Sequence, residues 1–392
     1  FFLFLHSHSR RQTCRIFFSS VATLRSLGTL MARSTFAEID INKHTSSTHP
    51  NKQCQGISVC RFNKDTGAVD VIKVVGGTTN PSFLYKDPTG PYLYATQEMY
   101  TEGKVNGLVT SYKIDNETGD LDIISTQQSH GNAPCYISSD GTGQTLLVAN
   151  YMTGNLTVFP LTNGALAPAS AVLSHAPFYT KATDASRQEC AHLHCCDVSP
   201  AQPVVLACDL GADLVACYTL QNKELTHACN TALKPGAGPR HIAFSADGQF
   251  VYTSNELDNT ITVLAFSSAS CEMKCVQVAP MLDSVPAGVV PNASHVTFHP
   301  NQRFLYTAVR FTDQIVCWEV DNNTGTLSNR QQFSCGGRTP RHFSFDPSGS
   351  FILVANQDNC LVTTFSVNAN TGALTLCAQS GLPSPTAICF NI

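Results

Sequence analysis

From residue 56 onward, apolar and polar positions alternate in short runs divided by turn residues, the period-two pattern of β-strands. Residues 236–256 show the unit most clearly. An alternating strand follows Pro239, Asp247-Gly248 makes a turn, a second apolar strand begins at Phe250, and Asn255-Glu256 ends it with polar side chains. Residues 260–264 supply a third strand. The same order recurs in residues 337–357 and in residues 131–150, the latter with Pro134 and an Asp140-Gly141 turn, and weaker copies open at Pro81, Ala191 and Ala293. These anchors lie roughly 45 to 57 residues apart, the period of four-stranded propeller blades.

A seventh anchor, Pro385, is followed by a single strand before the sequence ends. Residues 56–62 form an outer-strand pattern with no inner strand immediately ahead of them. The two fragments complement one another, so the chain is expected to be all-β: a seven-bladed β-propeller whose closing blade joins N- and C-terminal strands. Sharing a blade in this way closes the ring and removes exposed sheet edges. A stack of open sheets or a pair of sandwiches accounts for neither the even period nor the complementary ends.

The first 30 residues follow another rule. No acidic residue precedes Glu38, and Arg10, Arg11, Arg15, Arg25 and Arg33 alternate with Ser and Phe, as in a transit peptide. The given sequence starts with Phe, and Met31 is a suitable initiator, so residues 1–30 are expected to be upstream translated sequence or a targeting segment outside the fold. Residues 36–392 then form one propeller domain.

Composition narrows the chemistry. Lys and Arg number 24 against 28 Asp and Glu, a net charge of −4, so no global field draws the chain to nucleic acid or an anionic membrane. No apolar run reaches the roughly 20 residues that span a bilayer. The 17 cysteines are odd in number, contain no C-x-x-C, and lie within apolar runs, which suits small buried thiols in a reducing, cytoplasmic setting. The adjacent Cys195 and Cys196 fit packing better than nucleophilic catalysis.

Antiparallel hairpins set the start of the first strand beside the end of the second. Arg240 and His241 therefore fall near Asn255 and Glu256, Arg341 and His342 near Asn356 and Gln357, His192 and His194 near Asp209, and His295 near Arg310. Ser82 falls near Gln97 and Glu98, and Tyr136 near Asn150. All are expected at one mouth of the central channel. Arginines gathered there in an acidic chain imply an anionic ligand, because the guanidinium fork matches carboxylate and phosphate. His192, His194, Asp209 and Glu256 are conceivable metal ligands, but no metal site is assigned. The metalloprotease, nucleophile-elbow, P-loop and dinucleotide-binding motifs are missing.

The repeated Gly-x-x-Pro-Arg-His, the Asn255-Glu256-Leu257 and Asn356-Gln357-Asp358 strand ends, the Asn80-Pro81-Ser82-Phe83 opening and the Pro383-Ser384-Pro385 tail resemble the seven-bladed lactonase family. That family includes 6-phosphogluconolactonases and 3-carboxy-cis,cis-muconate cyclases, and the resemblance covers about residues 56–392. It implies catalytic roles for His192, Arg240, Glu256 and Arg310. Substrate contacts are expected from His194, His241, His295, Arg341, His342, Asn255, Gln357 and Glu98. Departures from the family pattern are Ala191-His192-Leu193-His194 for Pro-His-Ala-His, His295 for a Glu, and Val309 for an Asn. Residues 36–42 scarcely match the usual first strand.

The implied function is hydrolysis of an anionic sugar lactone, most directly 6-phospho-D-glucono-1,5-lactone to 6-phosphogluconate in the pentose phosphate pathway, with no cofactor. In that reading Glu256 or His192 takes a proton from water, and Arg240 with Arg310 or Arg341 holds the anion. Muconate cyclisation and a non-catalytic interaction platform are the alternatives. The sequence leaves oligomeric state open.

Overall fold

In the computed structural model, residues 14–20 and 56–391 are described, apart from positions 102 and 182. They form seven antiparallel sheets with one 3-10 turn at Ala176–Phe178. Six sheets are built from consecutive strands. In one, Pro239–Phe244 lies innermost, followed outward by Phe250–Asn255, Thr260–Ser267 and Glu272–Pro280. Its neighbours begin at Leu84–Lys86, Pro134–Ser139, Leu193–Val198, Asn292–Phe298 and Pro340–Phe345. The blade starting at Pro134 ends in two outer fragments, Ala165–Leu166 and Ala171–Ser174, which both pair with Asn155–Thr162.

Inner and middle strands are buried on both faces because every blade is packed between two others. Strands such as Thr145–Asn150 and Val204–Asp209 are buried along their full length, whereas the outer strand Leu121–Gln128 alternates toward solvent. Tyrosines hold adjacent blades together. Tyr252 and Tyr306 are buried and donate their hydroxyls to the carbonyls of Gly325 and Gly372, in turns of the following blades. Each buried phenol thereby keeps its polar end satisfied.

The seventh sheet closes the ring, with a strand the composition had concealed. Its order is Pro385–Asn391, Cys14–Ser20, Gly56–Phe62, Val69–Val75. The expectation that residues 1–30 lie outside the fold therefore fails for residues 14–20. It also follows that residues 385–391 pair with Cys14–Ser20, and not directly with Gly56–Phe62. The physical reason is the run Ile16-Phe17-Phe18, in which all three side chains are fully buried. Ile16 and Phe18 join the core with Leu353 and Ala355 of the preceding blade, while Phe17 joins Leu84, Leu93 and Tyr112 of the next. A strand covered on both faces needs such an unbroken apolar run. The flanking Arg and Ser residues, which suggested a leader, obscured it. Residues 36–42 lie outside the described residues.

A β-bulge recurs where the inner strands begin. The register shifts between Pro134 and Tyr136, Leu193 and Cys195, Pro239 and His241, Ala293 and Val296, and Pro340 and His342. A bulge opposes two residues to one and re-aims their side chains. In this way two consecutive residues, such as Arg240 and His241, reach the same side of the sheet, and their side chains touch at 3.0 Å.

Removing residues 1–20 strips the second strand from the closing sheet and should lower the urea midpoint sharply, and Phe17→Ala alone should cost about 3–5 kcal/mol. Denaturation followed by circular dichroism checks both. An unchanged midpoint in the truncated chain would show that the strand is dispensable.

Candidate active site

Glu256 stands at the centre of the mouth. It follows the strand Phe250–Asn255, and its backbone N–H donates to the carbonyl of Gly238, which turns the side chain toward neighbouring blades. Oε1 lies 2.6 Å from Arg187 Nη2, and Oε2 lies 2.8 Å from Arg240 Nε and 2.9 Å from Arg310 Nη2. Burial on its own would raise the acid's pKa, but the guanidiniums of Arg310, Arg187 and Arg240 pull it well below the usual carboxylate range.

The arginines differ in access. The Arg240 side chain is only 3% exposed, and its Nη1 donates to the carbonyl of Ser294 and to His241 Nε2. Burial, then repulsion from Arg310, lowers its pKa to about 9. Arg310 is 11% exposed and donates to the carbonyls of Asn292 and Ala293, beside the strand that carries His295. Arg187 is 27% exposed. Arg341, 18% exposed, is held only loosely, 3.4 Å from Glu98 and 3.5 Å from Gln357. Arg187, Arg310 and Arg341 thus keep exposed side-chain surface at the mouth. Arg240, expected as a substrate anchor, is almost wholly buried, with its guanidinium on Ser294, His241 and Glu256.

His192 lies beside this cluster. Its ring stacks on Tyr151 at 4.4 Å, and Nδ1 is 3.0 Å from the Tyr151 carbonyl. A carbonyl only accepts, so Nδ1 carries the proton and Nε2 faces the Glu189 carboxylate at 3.0 Å. The His192 backbone N–H donates to Asp209 Oδ1. Asp209 Oδ2 contacts His175 Nδ1 at 3.0 Å, and His175 Nε2 accepts from the Tyr218 hydroxyl at 2.7 Å. This buried network anchors His192 and the segment that carries Arg187. Asp209 is thereby consumed structurally, so His192, His194, Asp209 and Glu256 do not converge as a metal set.

Below the mouth, four imidazoles line the channel: His194, His241, His295 and His342, all buried. His241 Nε2 accepts from Arg240, so its Nδ1 carries a proton and donates to His295 Nδ1 at 2.9 Å. His295 and His342 stack at 4.1 Å. Burial, helped by the nearby arginines, depresses all four, with His342 at about 3. Neutral histidines beneath clustered guanidiniums leave the cationic charge of the mouth to arginine. The cavity among Ser82, Phe83, Cys135, Arg240, His241, Arg341, His342 and Thr386 is about 10 Å³, room for a single water. The histidines expected to touch substrate form a buried plug around this cavity. Asn255, 1% exposed, spends its amide on Thr260 and Thr262 and ties the turn.

Sequence reasoning missed Arg187, Glu189 and Tyr151. The first two lie on a connection outside the repeat and carried no periodic signal. Tyr151 was recoverable, since it follows Asn150 as Glu256 follows Asn255 and Gln357 follows Asn356. A larger cleft of about 530 Å³, near Asp140 and Lys223, sits at the opposite rim and holds no comparable cluster.

The description of a seven-bladed β-propeller lactonase family matches residues 44–392. The chain is 30% identical over 347 residues to a 6-phosphogluconolactonase of Bacillus subtilis, covering 88% of this chain and 96% of the relative. It is 29% identical to a 6-phosphogluconolactonase of Formosa agariphila, covering 81% and 90%. Among solved structures, the periplasmic gluconolactonase of Pseudomonas aeruginosa superposes with a TM-score of 0.80 at 29% identity, covering 96% of this chain and 99% of that one.

The histidine plug sets a pH dependence. Unfolded histidines titrate near 6.5, whereas these four stay neutral in the fold, so below that pH the unfolded state binds more protons and stability falls. Each contributes about 1.4 kcal/mol of loss per pH unit. Denaturant midpoints between pH 7.5 and 5.5 should decline steeply, and His295→Gln should flatten the slope by about a quarter. A slope unaltered by His295→Gln would show that this imidazole does not resist protonation.

Proposed function

The chain belongs to the lactonase family of seven-bladed β-propellers, and from that premise we propose that it hydrolyses an anionic sugar lactone, most directly 6-phospho-D-glucono-1,5-lactone. The observation that carries the reading is the mouth itself, where Arg187, Arg240 and Arg310 share the single carboxylate of Glu256 and Arg341 is loosely held opposite. Such a surplus of guanidinium charge suits a phosphorylated or carboxylated substrate. The relatives named 6-phosphogluconolactonase support phosphate as the anion. Among the described residues 15 cysteines are free thiols, which suits a cytoplasmic setting.

The chemistry follows from the placements. Both oxygens of Glu256 are taken up by guanidiniums, which hold its carboxyl below the usual carboxylate range, so it orients the arginines. His192, with Nδ1 fixed on the Tyr151 carbonyl, offers Nε2 as the base, and Glu189 beside it steadies the resulting imidazolium. Water attacks the lactone carbonyl carbon, and Arg187 and Arg310 stabilise the oxyanion that develops. The bond from carbonyl carbon to ring oxygen then breaks, and that oxygen leaves as the hydroxyl, taking the proton back from His192. Arg341 holds the phosphate.

In a coupled assay, Arg341→Lys should lower kcat/KM for the phosphorylated lactone by about 1.5–3 kcal/mol while barely affecting unphosphorylated gluconolactone. Equal losses on both substrates would remove Arg341 from the phosphate site.

His192→Asn should reduce kcat by roughly 10²- to 10⁴-fold with little change in KM. Glu256→Gln should instead destabilise the fold by about 3–5 kcal/mol, because it strands three guanidiniums. A stable Glu256→Gln protein that loses only kcat would return the base to Glu256.

A further inference from the structure

Glu189, Cys190 and His192 bring three donor atoms to one point: Glu189 Oε1 is 3.0 Å and Cys190 Sγ 3.7 Å from His192 Nε2, and all three lie within 4.8 Å of one another. The hydrogen bonds at His192 leave two acceptors facing one another. Because Nδ1 carries the proton that the Tyr151 carbonyl accepts, a neutral His192 turns a lone pair toward the carboxylate. Two acceptors at that distance repel, and either the proton that Nε2 takes up as a base or a metal cation relieves the contact.

We propose that Glu189, Cys190 and His192 form a binding site for a thiophilic divalent cation of the Zn²⁺ class. A carboxylate oxygen, a thiolate and an imidazole nitrogen are the donor set zinc takes, and the thiolate disfavours Mg²⁺ and Ca²⁺. Zinc bonds of about 2.0–2.3 Å place tetrahedral ligands roughly 3.3–3.8 Å apart, close to the spacing already present. The imidazole is oriented by a backbone carbonyl on its other nitrogen, the usual outer support of a metal-bound histidine.

The segment is also held in place before any ion arrives. Gln188 Nε2 donates to the Leu210 carbonyl at one end, and the His192 N–H donates to Asp209 at the other. Gly211 lets the Cys190 carbonyl pass close by, since a Cβ there would lie 1.9 Å from that oxygen. The Glu189 side chain is 41% exposed, which gives an ion entry from solvent and leaves the fourth position to water.

Burial, with Glu189 and Asp209 nearby, raises the Cys190 thiol to about 11, so the bare site holds a thiol, and binding releases its proton. If His192 is the base of the lactonase reading, a bound ion occupies its Nε2 and inhibits hydrolysis. That consequence rests on the proposed function, whereas metal binding does not.

The test uses the full chain stripped by chelator and titrated with Co²⁺, then with Zn²⁺ in competition. One equivalent of Co²⁺ should produce a thiolate-to-metal charge-transfer band that Cys190→Ser removes, and Zn²⁺ affinity should fall on the order of 100-fold in that variant. Glu189→Gln, which leaves the thiol in place, should also weaken Zn²⁺. Lactone turnover should be inhibited by Zn²⁺ and restored by chelator in the native chain, and be insensitive in Cys190→Ser. No band, or a band that persists in Cys190→Ser, overturns the site. A band without inhibition keeps the site and counts against His192 as the base.

Discussion

One carboxylate shared among three guanidiniums organises the mouth of this propeller. Glu256 draws in Arg240 from its own blade, Arg310 from the next, and Arg187 from the connection leading into the preceding blade. Buried charges of this kind persist only when paired and hydrogen-bonded. The arrangement thus serves two purposes. It neutralises enough charge for the arginines to sit within the protein, and it leaves a cationic surplus facing solvent.

The histidine plug follows from the same charge. Four imidazoles packed beneath arginines stay neutral, because protonation would add buried charge of the same sign. One chain of hydrogen bonds runs from Arg240 through His241 to His295, while His342 accepts from the Ile388 N–H. The partly exposed guanidiniums of Arg187, Arg310 and Arg341 lie at the mouth. His192 belongs to a different support, the Tyr151 carbonyl on one side and the Asp209 network on the other.

Ring closure is the second constraint. A propeller transmits blade packing around its circumference, so a missing strand would expose both neighbours. Here Cys14–Ser20 fills that place between Pro385–Asn391 and Gly56–Phe62, and its apolar run packs on the blades at both sides.

The period of the anchors, the Asp-Gly turns and the polar strand ends were enough to derive seven blades and the hairpin neighbours. Arg240 beside Glu256 and Arg341 beside Gln357 follow from antiparallel pairing, and pairing is a property of local sequence. Local sequence could not reveal which side chains stay open to solvent. Arg240 and Arg341 occupy the same position in their repeats, yet one is committed to Ser294, His241 and Glu256 while the other remains accessible, because their neighbours from adjacent blades differ. Arg187, Glu189 and the strand at residues 14–20 lay outside the repeat, and only tertiary packing brings them to the mouth and the closing blade. Sequence by itself determined the repeating element and the types of residue it displays. Tertiary structure decided access, charge state and the members drawn from irregular segments, since all three depend on contacts between residues far apart in the chain.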